Sequence, residues 1–249
     1  MLALAFATSK EMRAALAFAG PPPVAPALAD GAWSRLVLPG GAGPDRKVLV
    51  LVTGVSMVNA ALALGRLLGA EPVTGVCNLG IAGSFDADAA PLGATTVADG
   101  ECWPEFGVLR KGREGREGGV DPEALGLPLL ENGQGRVTDR LNLDPNAAAA
   151  AMGLRLDPAW ARGTSLTVSG VTATAARAAE LRERHGALTE NMEGFALALG
   201  CRRADIPFLE VRTVSNMVGP REKTWDLQGA LAALGRTAGR LLGPGSQGA

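Results

Sequence analysis

Several short apolar runs in this chain each end in a polar or glycine-bearing cluster, and that repeated join constrains the fold more than any other feature. Residues 2–7 (LALAFA) lead into Thr8-Ser9-Lys10-Glu11, and residues 73–79 (VTGVCNL) into Gly80-Ile81-Ala82-Gly83-Ser84. A run near 187–190 leads into Asn191-Met192-Glu193-Gly194, and residues 206–214 into Ser215-Asn216. Apolar runs of this length, bounded by turn residues, read as buried strands. Residues 47–53 (KVLVLVT) form another such run, with further strands expected near 94–98 and 164–169. Helices are expected over 10–19, from the turn at 54–59 to Leu68, and over 174–185, 192–203 and 226–242. Thr8 or Ser9 can cap the first of these, and Glu11 in its first turn suits the helix dipole.

Alternating strands and amphipathic helices give an α/β fold, expected as a single domain with a central mixed β-sheet flanked by helices. The expected domain covers residues 1–243 and is followed by a disordered tail, 244–249. A length of 249 residues suits one large domain. The polar stretch 110–119 (RKGREGREGG) reads as a surface loop.

Composition narrows the function. Lys+Arg number 24 and Asp+Glu 25, so no excess of positive charge is available to hold a nucleic acid by its phosphates. No run of 18 apolar residues suggests a membrane span. Lys10, Glu11 and Arg13 interrupt the N-terminal apolar stretch, which also lacks a basic start, so it does not read as a signal peptide. Three cysteines (Cys77, Cys102, Cys201) and one histidine (His185) argue against a disulfide scaffold and a zinc cluster. A Ser-His-Asp triad would need His185. The expectation is a cytoplasmic protein with reduced thiols, no metal and no organic cofactor.

Each strand end has a local structural reading and a functional one. Gly80 to Gly83 could form a tight turn or let a ligand approach the backbone beyond a strand's carboxyl end. Glu190 and Glu193 could be helix-dipole partners, or Glu193 could accept hydrogen bonds from a sugar diol while Met192 packs on the sugar face. Asn216 could be a turn residue or a recognition group. Arg212, inside an apolar strand, needs a buried acidic partner.

Taken together, Asn78-Leu79-Gly80-Ile81-Ala82-Gly83, Asn191-Met192-Glu193-Gly194 and Val211-Arg212-Thr213-Val214-Ser215-Asn216 resemble the nucleoside phosphorylase/nucleosidase superfamily. Within it the pattern is most similar to the futalosine hydrolases, with the methylthioadenosine/S-adenosylhomocysteine nucleosidases next. The residues 215–221 (SNMVGPR) and Trp225 add to that similarity. The resemblance implies that Glu11 activates an attacking water and that Met192 and Glu193 bind ribose. It also implies that Gly80, Ile81, Ala82 and Gly83 lie near the sugar, and that residues 170–174, Ala173 among them, line the base.

Asn216, beside Ser215, stands where the methylthioadenosine nucleosidases have Asp. An amide donates through its NH2 and can serve purine N7 and a 6-oxo oxygen together, which suits hypoxanthine. The implied reaction is hydrolysis of the N-glycosidic bond of a 6-oxopurine nucleoside, futalosine first, in a route to menaquinone. Purine nucleoside phosphorylase and methylthioadenosine nucleosidase stand as alternatives, and a noncatalytic nucleoside-binding protein behind them. Arg221 is open to two readings, a partner for a carboxylate on the substrate's 5′ extension or a solvated loop arginine. The group that stacks on the base is left open among Phe85, Trp103 and Phe106. By resemblance the protein is a homo-oligomer that binds a small purine nucleoside; its charge balance and the absence of a long apolar run argue against nucleic acid and membrane as partners.

Overall fold

The first strand shows how this sequence builds its sheet. β1 (Leu2–Phe6) buries all of its residues, and its side chains alternate between faces. Leu2, Leu4 and Phe6 enter one core cluster, whereas Ala3 and Ala5 enter another on the opposite face. The sheet is therefore covered on both sides, which explains why its strands read as continuous apolar runs. The computed structural model describes residues 1–19, 27–40, 44–110, 119–133, 135–220 and 225–243. Arg221, the tail 244–249 and most of the polar stretch (111–118) lie outside them.

Thr8 starts α1 (Ser9–Leu16) with a reciprocal capping box. Its hydroxyl accepts from the Glu11 N–H at 3.2 Å, and the Glu11 carboxylate accepts from the Thr8 N–H at 2.9 Å. The helix is shorter than expected and tightens into a 3₁₀ turn over Ala17–Ala19. There follow β2 (Ala32–Leu38), β3 (Arg46–Val52), α2 (Met57–Ala70), β4 (Gly75–Ser84) and β5 (Thr95–Cys102). Two small hairpins come next, β6 (Val108–Leu109) with β7 (Val120–Asp121) and β8 (Leu130–Asn132) with β9 (Gly135–Val137). The chain continues through β10 (Arg140–Asn142), α3 (Pro145–Ala151), β11 (Ala161–Thr167), α4 (Ala175–His185) and β12 (Ala187–Asn191). It ends with α5 (Gly194–Arg203), β13 (Phe208–Met217) and α6 (Leu227–Leu242).

Nine strands form one mixed sheet in the order β10-β5-β11-β12-β4-β1-β3-β2. The ninth, β13, pairs with both β4 and β5 and so closes β5, β11, β12, β4 and β13 into a ring. From that ring β1, β3 and β2 extend as an open sheet. α1 and α6 pack together over one face, and α2 and α5 over the other.

The fold class expected from the sequence is the one observed, a single-domain α/β structure with a central mixed sheet. Three local readings change. β2 is a strand where none was expected: it is a half-exposed edge strand, so it lacks the unbroken apolar run of its neighbours. β10 and α3 were also not anticipated, being short, with the helix built almost wholly of alanine behind an Asp144 cap. Residues 80–84 are not a turn but the second half of β4. Their partners lie more than 100 residues away, on β12 and β13, which no local pattern reveals. No described helix is long and apolar enough to cross a membrane.

Candidate active site

The carboxyl ends of β1, β4, β12 and β13 converge on a cavity of about 360 Å³. Glu11, Ile81, Ala82, Gly83, Met192, Glu193, Ser215 and Asn216 all line it. Four segments separated in sequence are thus brought to one place, as open α/β sheets do with their ligand sites.

Glu11 closes the capping box of its own helix and also lines the cavity. The capping box fixes one carboxylate oxygen, Oε2, which also accepts from the Thr8 hydroxyl at 2.8 Å. The other, Oε1, accepts from the Ile81 N–H at 3.0 Å. The helix start therefore locks a buried carboxylate against the backbone of β4. Gly80 does not line the cavity itself but is what lets this happen. A Cβ on Gly80 would lie 2.8 Å from Glu11 Oε1 and 2.7 Å from Arg212 Nη1. Those two side chains occupy the space a larger residue would fill.

Glu193 is the N-cap residue of α5 but makes no side-chain cap bond. Its Oε1 accepts instead from the Ser56 N–H at 3.1 Å, and its Oε2 lies 3.6 Å from Arg212 Nη1. Ser56 carries a backbone φ of +100°, a conformation that side-chain-bearing residues rarely adopt. Strain of this kind costs on the order of 1–3 kcal/mol and collects at functional positions. Burial pushes the Glu193 carboxyl above its ordinary range, with Arg212 and the Ser56 N–H opposing that shift.

Arg212 finds the acidic partner its sequence position demanded. Its Nε donates to Glu210 Oε1 at 2.8 Å, and both side chains are buried. Behind them lies a polar network inside the ring of strands. Asn191 Nδ2 is 2.8 Å from Glu101 Oε1 and 3.2 Å from Glu210 Oε1. Asn191 Oδ1 accepts from the N–H groups of Glu193 at 2.8 Å and Gly194 at 2.7 Å. Thr167 donates to Glu101 Oε2 at 2.7 Å. Gly194 sits over both carboxyl groups, where a Cβ would collide with each of them. Burial, and then the Glu210 charge, push the Glu101 carboxyl well above the usual carboxylate range. Asn191 suits this setting because it both accepts and donates without adding charge.

Asn216 follows a bulge in the β13–β4 register, a device that re-aims side chains. Its Oδ1 accepts from the Ser215 hydroxyl at 2.9 Å, and its Nδ2 donates to the Met217 carbonyl at 3.0 Å. A carbonyl only accepts, so the amide's orientation is fixed and a single N–H remains for the cavity.

Ala173 is exposed and does not line the cavity; Val171 and Thr172 of the same segment do. Glu190 holds that segment, accepting from the Thr172 N–H at 3.0 Å and its hydroxyl at 2.5 Å. Phe85, Trp103 and Phe106 all lie away from the cavity: Phe85 is buried in another cluster, and Trp103 packs on Phe106 and Phe195. Trp225, Leu227 and Leu231 supply apolar wall instead. Sequence reasoning did not single out Ser56, Glu190 or Lys10 as site residues. A polar residue inside an apolar strand was the one available signal, and it applied to Glu190 alone.

His185 lies outside the site. Its Nδ1 is 3.4 Å from Cys102 Sγ, and Asp139 stands 3.6 Å from the same sulfur. Burial first, and then Arg140 and Arg184, lower the imidazole pKa to about 4. Residue counts argue against a Cys/His zinc cluster. The fold brings these three together as a hydrogen-bonded group flanked by arginine charge.

Residues 40–242 match the family model described as the phosphorylase superfamily. Futalosine hydrolase of Streptomyces coelicolor is 40% identical over 203 residues, 77% of each chain. That of Thermus thermophilus is 35% identical, covering 77% of this chain and 80% of its own. The structure of a futalosine hydrolase mutant of Helicobacter pylori superposes with a TM-score of 0.68 at 16% identity, covering 95% of each chain. A match over most of its length, and such identity to these relatives, show that the chain belongs to the phosphorylase superfamily, within the glycosidic-bond hydrolases of the futalosine hydrolase family.

Proposed function

We propose that this protein hydrolyses the N-glycosidic bond of futalosine, giving hypoxanthine and dehypoxanthine futalosine for menaquinone biosynthesis. The observation that carries the reading is the carboxylate at the cavity's first loop. Glu11 is buried, aligned by three donors, and set where a phosphorolytic enzyme would need cationic groups for phosphate. A carboxylate there repels phosphate and suits water.

In this scheme water attacks C1′ as the C1′–N9 bond breaks, and Glu11 takes the water's proton as general base. Glu193, tied to Ser56 and Arg212, accepts the ribose hydroxyls, and its negative charge stabilises the positive charge building on the sugar. Met192 covers the sugar face, and Ala82 and Gly83 border it. Asn216 donates a hydrogen bond through its remaining N–H to the departing base, which leaves as the hypoxanthine anion and takes its proton from water. A second acceptor on the base is served only by giving up the bond to Met217.

The protein is further proposed to be a homo-oligomer. Val58 and Leu62 on α2 are 69% and 64% exposed, next to Val55 at the cavity rim. An apolar stripe of that kind is better covered than left in water. Its three cysteines are all free and buried, in keeping with a cytoplasmic setting.

The test is base release by the purified protein from futalosine, inosine and methylthioadenosine, each without and with phosphate. Hypoxanthine from futalosine in phosphate-free buffer is the expected outcome. Release only with phosphate would make the enzyme a phosphorylase. Adenine from methylthioadenosine alone would show that Asn216 does not set the base preference.

A further inference from the structure

The cavity is acidic at its floor and different at its mouth. Three carboxylates line it, Glu11, Glu190 and Glu193, and all three are buried. Their oxygens are held by Thr8, Ile81, Thr172, Ser56 and Arg212. The exposed lining residues are Lys10, Val55, Val171 and Trp225, the last three at 44%, 45% and 51% exposure. Lys10 is thus the one cationic side chain among the described residues that line the cavity.

Its position in the helix breaks a local rule. Lys10 sits in the first turn of α1, between Ser9 and Glu11, where the helix dipole favours acids over cations. No hydrogen bond or ion pair within the described residues compensates it. Residues that violate local preference without a structural gain are where function is expected.

We infer that Lys10 is a specificity-determining residue that pairs with a carboxylate carried on an apolar or aromatic 5′ extension of the nucleoside. Apolar side chains with a single cation are what an amphipathic anionic group requires: the hydrocarbon part packs on Val55 or Trp225 while the charged end stays near water. The acidic floor makes the cation necessary, because a carboxylate would otherwise approach three like charges. This inference rests on the proposed hydrolysis of futalosine and names the group that selects it over a plain nucleoside.

The experiment compares kcat/KM for futalosine and for inosine, which has no such extension, in the wild type, Lys10→Met and Lys10→Arg. Methionine keeps the apolar stem and removes the charge. The futalosine-to-inosine ratio should fall about fivefold in Lys10→Met, the scale of a solvent-exposed ion pair. The loss should appear mainly in KM, and Lys10→Arg should restore most of it. Raising salt should shrink the difference between wild type and Lys10→Met. A ratio unchanged in Lys10→Met, in a wild type that does hydrolyse futalosine, would overturn the role of Lys10 alone. A wild type inert towards futalosine would overturn the parent reading and this one with it.

Discussion

Two halves of one sheet are equally buried and chemically opposite. β1 and β3 carry Leu, Ala, Val and Phe into dry clusters beneath α1, α2 and α6. β12 and β13 are just as inaccessible, yet they bury Thr189, Glu190, Asn191, Glu210, Arg212, Thr213 and Ser215. The difference shows what each half is for. The dry half contributes area removed from water, at roughly 25 cal/mol per Å². The polar half forgoes that gain and pairs most of what it hides, because an unpaired buried charge costs several kcal/mol. Glu210 Oε2 and Arg212 Nη2 are the atoms of this network left without a hydrogen-bond partner among the described residues. Arg212 pairs with Glu210 and Glu193, and hydrogen bonds from Thr8, Ile81 and Ser56 hold Glu11 and Glu193 where they face the cavity.

If that contrast is right, equal-sized changes should have unlike consequences in the two halves. The largest effect on turnover belongs to Glu11→Gln. Glutamine's oxygen can still accept in the capping box, but its NH2 group then faces the Ile81 N–H, so stability should fall by about 1–3 kcal/mol while the enzyme stays folded. The turnover number for futalosine should fall by about 10²–10⁴, the range for losing a general base. Leu51→Ala in the dry half should act on stability alone, with about 2–5 kcal/mol lost on denaturant unfolding while the surviving folded enzyme keeps its kcat.

Asn191→Asp comes next. It would set a third carboxyl group 2.8 Å from Glu101 and 3.2 Å from Glu210. The expected cost is about 3 kcal/mol or more, read as a lower denaturation midpoint that recovers as pH falls. Asn216→Asp tests the base end, and should shift relative kcat/KM from hypoxanthine-bearing towards adenine-bearing nucleosides by about tenfold.

Smaller effects sharpen the electrostatics. Glu193 must be ionised to accept the sugar hydroxyls, and burial raises its pKa above the ordinary carboxylate value of 4.5. Activity should therefore climb with pH through a limb that lies above that value. Glu101 is raised further, by burial and then by Glu210. A carboxyl with a raised folded pKa supports the fold fully below its unfolded value near 4.5. That support is lost as pH rises towards the folded pKa. Glu101→Gln should flatten this decline, with Thr167 turning its hydroxyl to Asn191 Oδ1, 3.2 Å away. At neutral pH its melting temperature should change little.

How legible all this was in the sequence depends on range. Apolar strands, a cap at Thr8 or Ser9, the last helix and the clusters at 80–84, 191–194 and 211–216 were readable because each is a local pattern. Arg212 announced its need for an acid because it sits in an apolar strand. Which acid answered it was not readable. Glu210, two residues away, competes with Glu193, and the third carboxyl, Glu101, lies on a strand 90 residues before Asn191. Ring closure by β13 creates those contacts, and pairing across such distances leaves no mark on local periodicity. The base-lining segment shows the same limit, since Val171 and Thr172 reach the cavity and Ala173 faces away. One residue of register decides between them.

The central claim is that the polar half holds Glu11 as the base for water. The most direct measurement is hypoxanthine release from futalosine in phosphate-free buffer by the wild type and Glu11→Gln, with futalosine affinity measured on the same preparations. The account predicts turnover by the wild type, turnover lower by about 10²–10⁴ in the variant, and affinity within a few-fold of wild type. Equal rates in the two proteins would remove Glu11 from the mechanism, and with it the function assigned to the buried polar half.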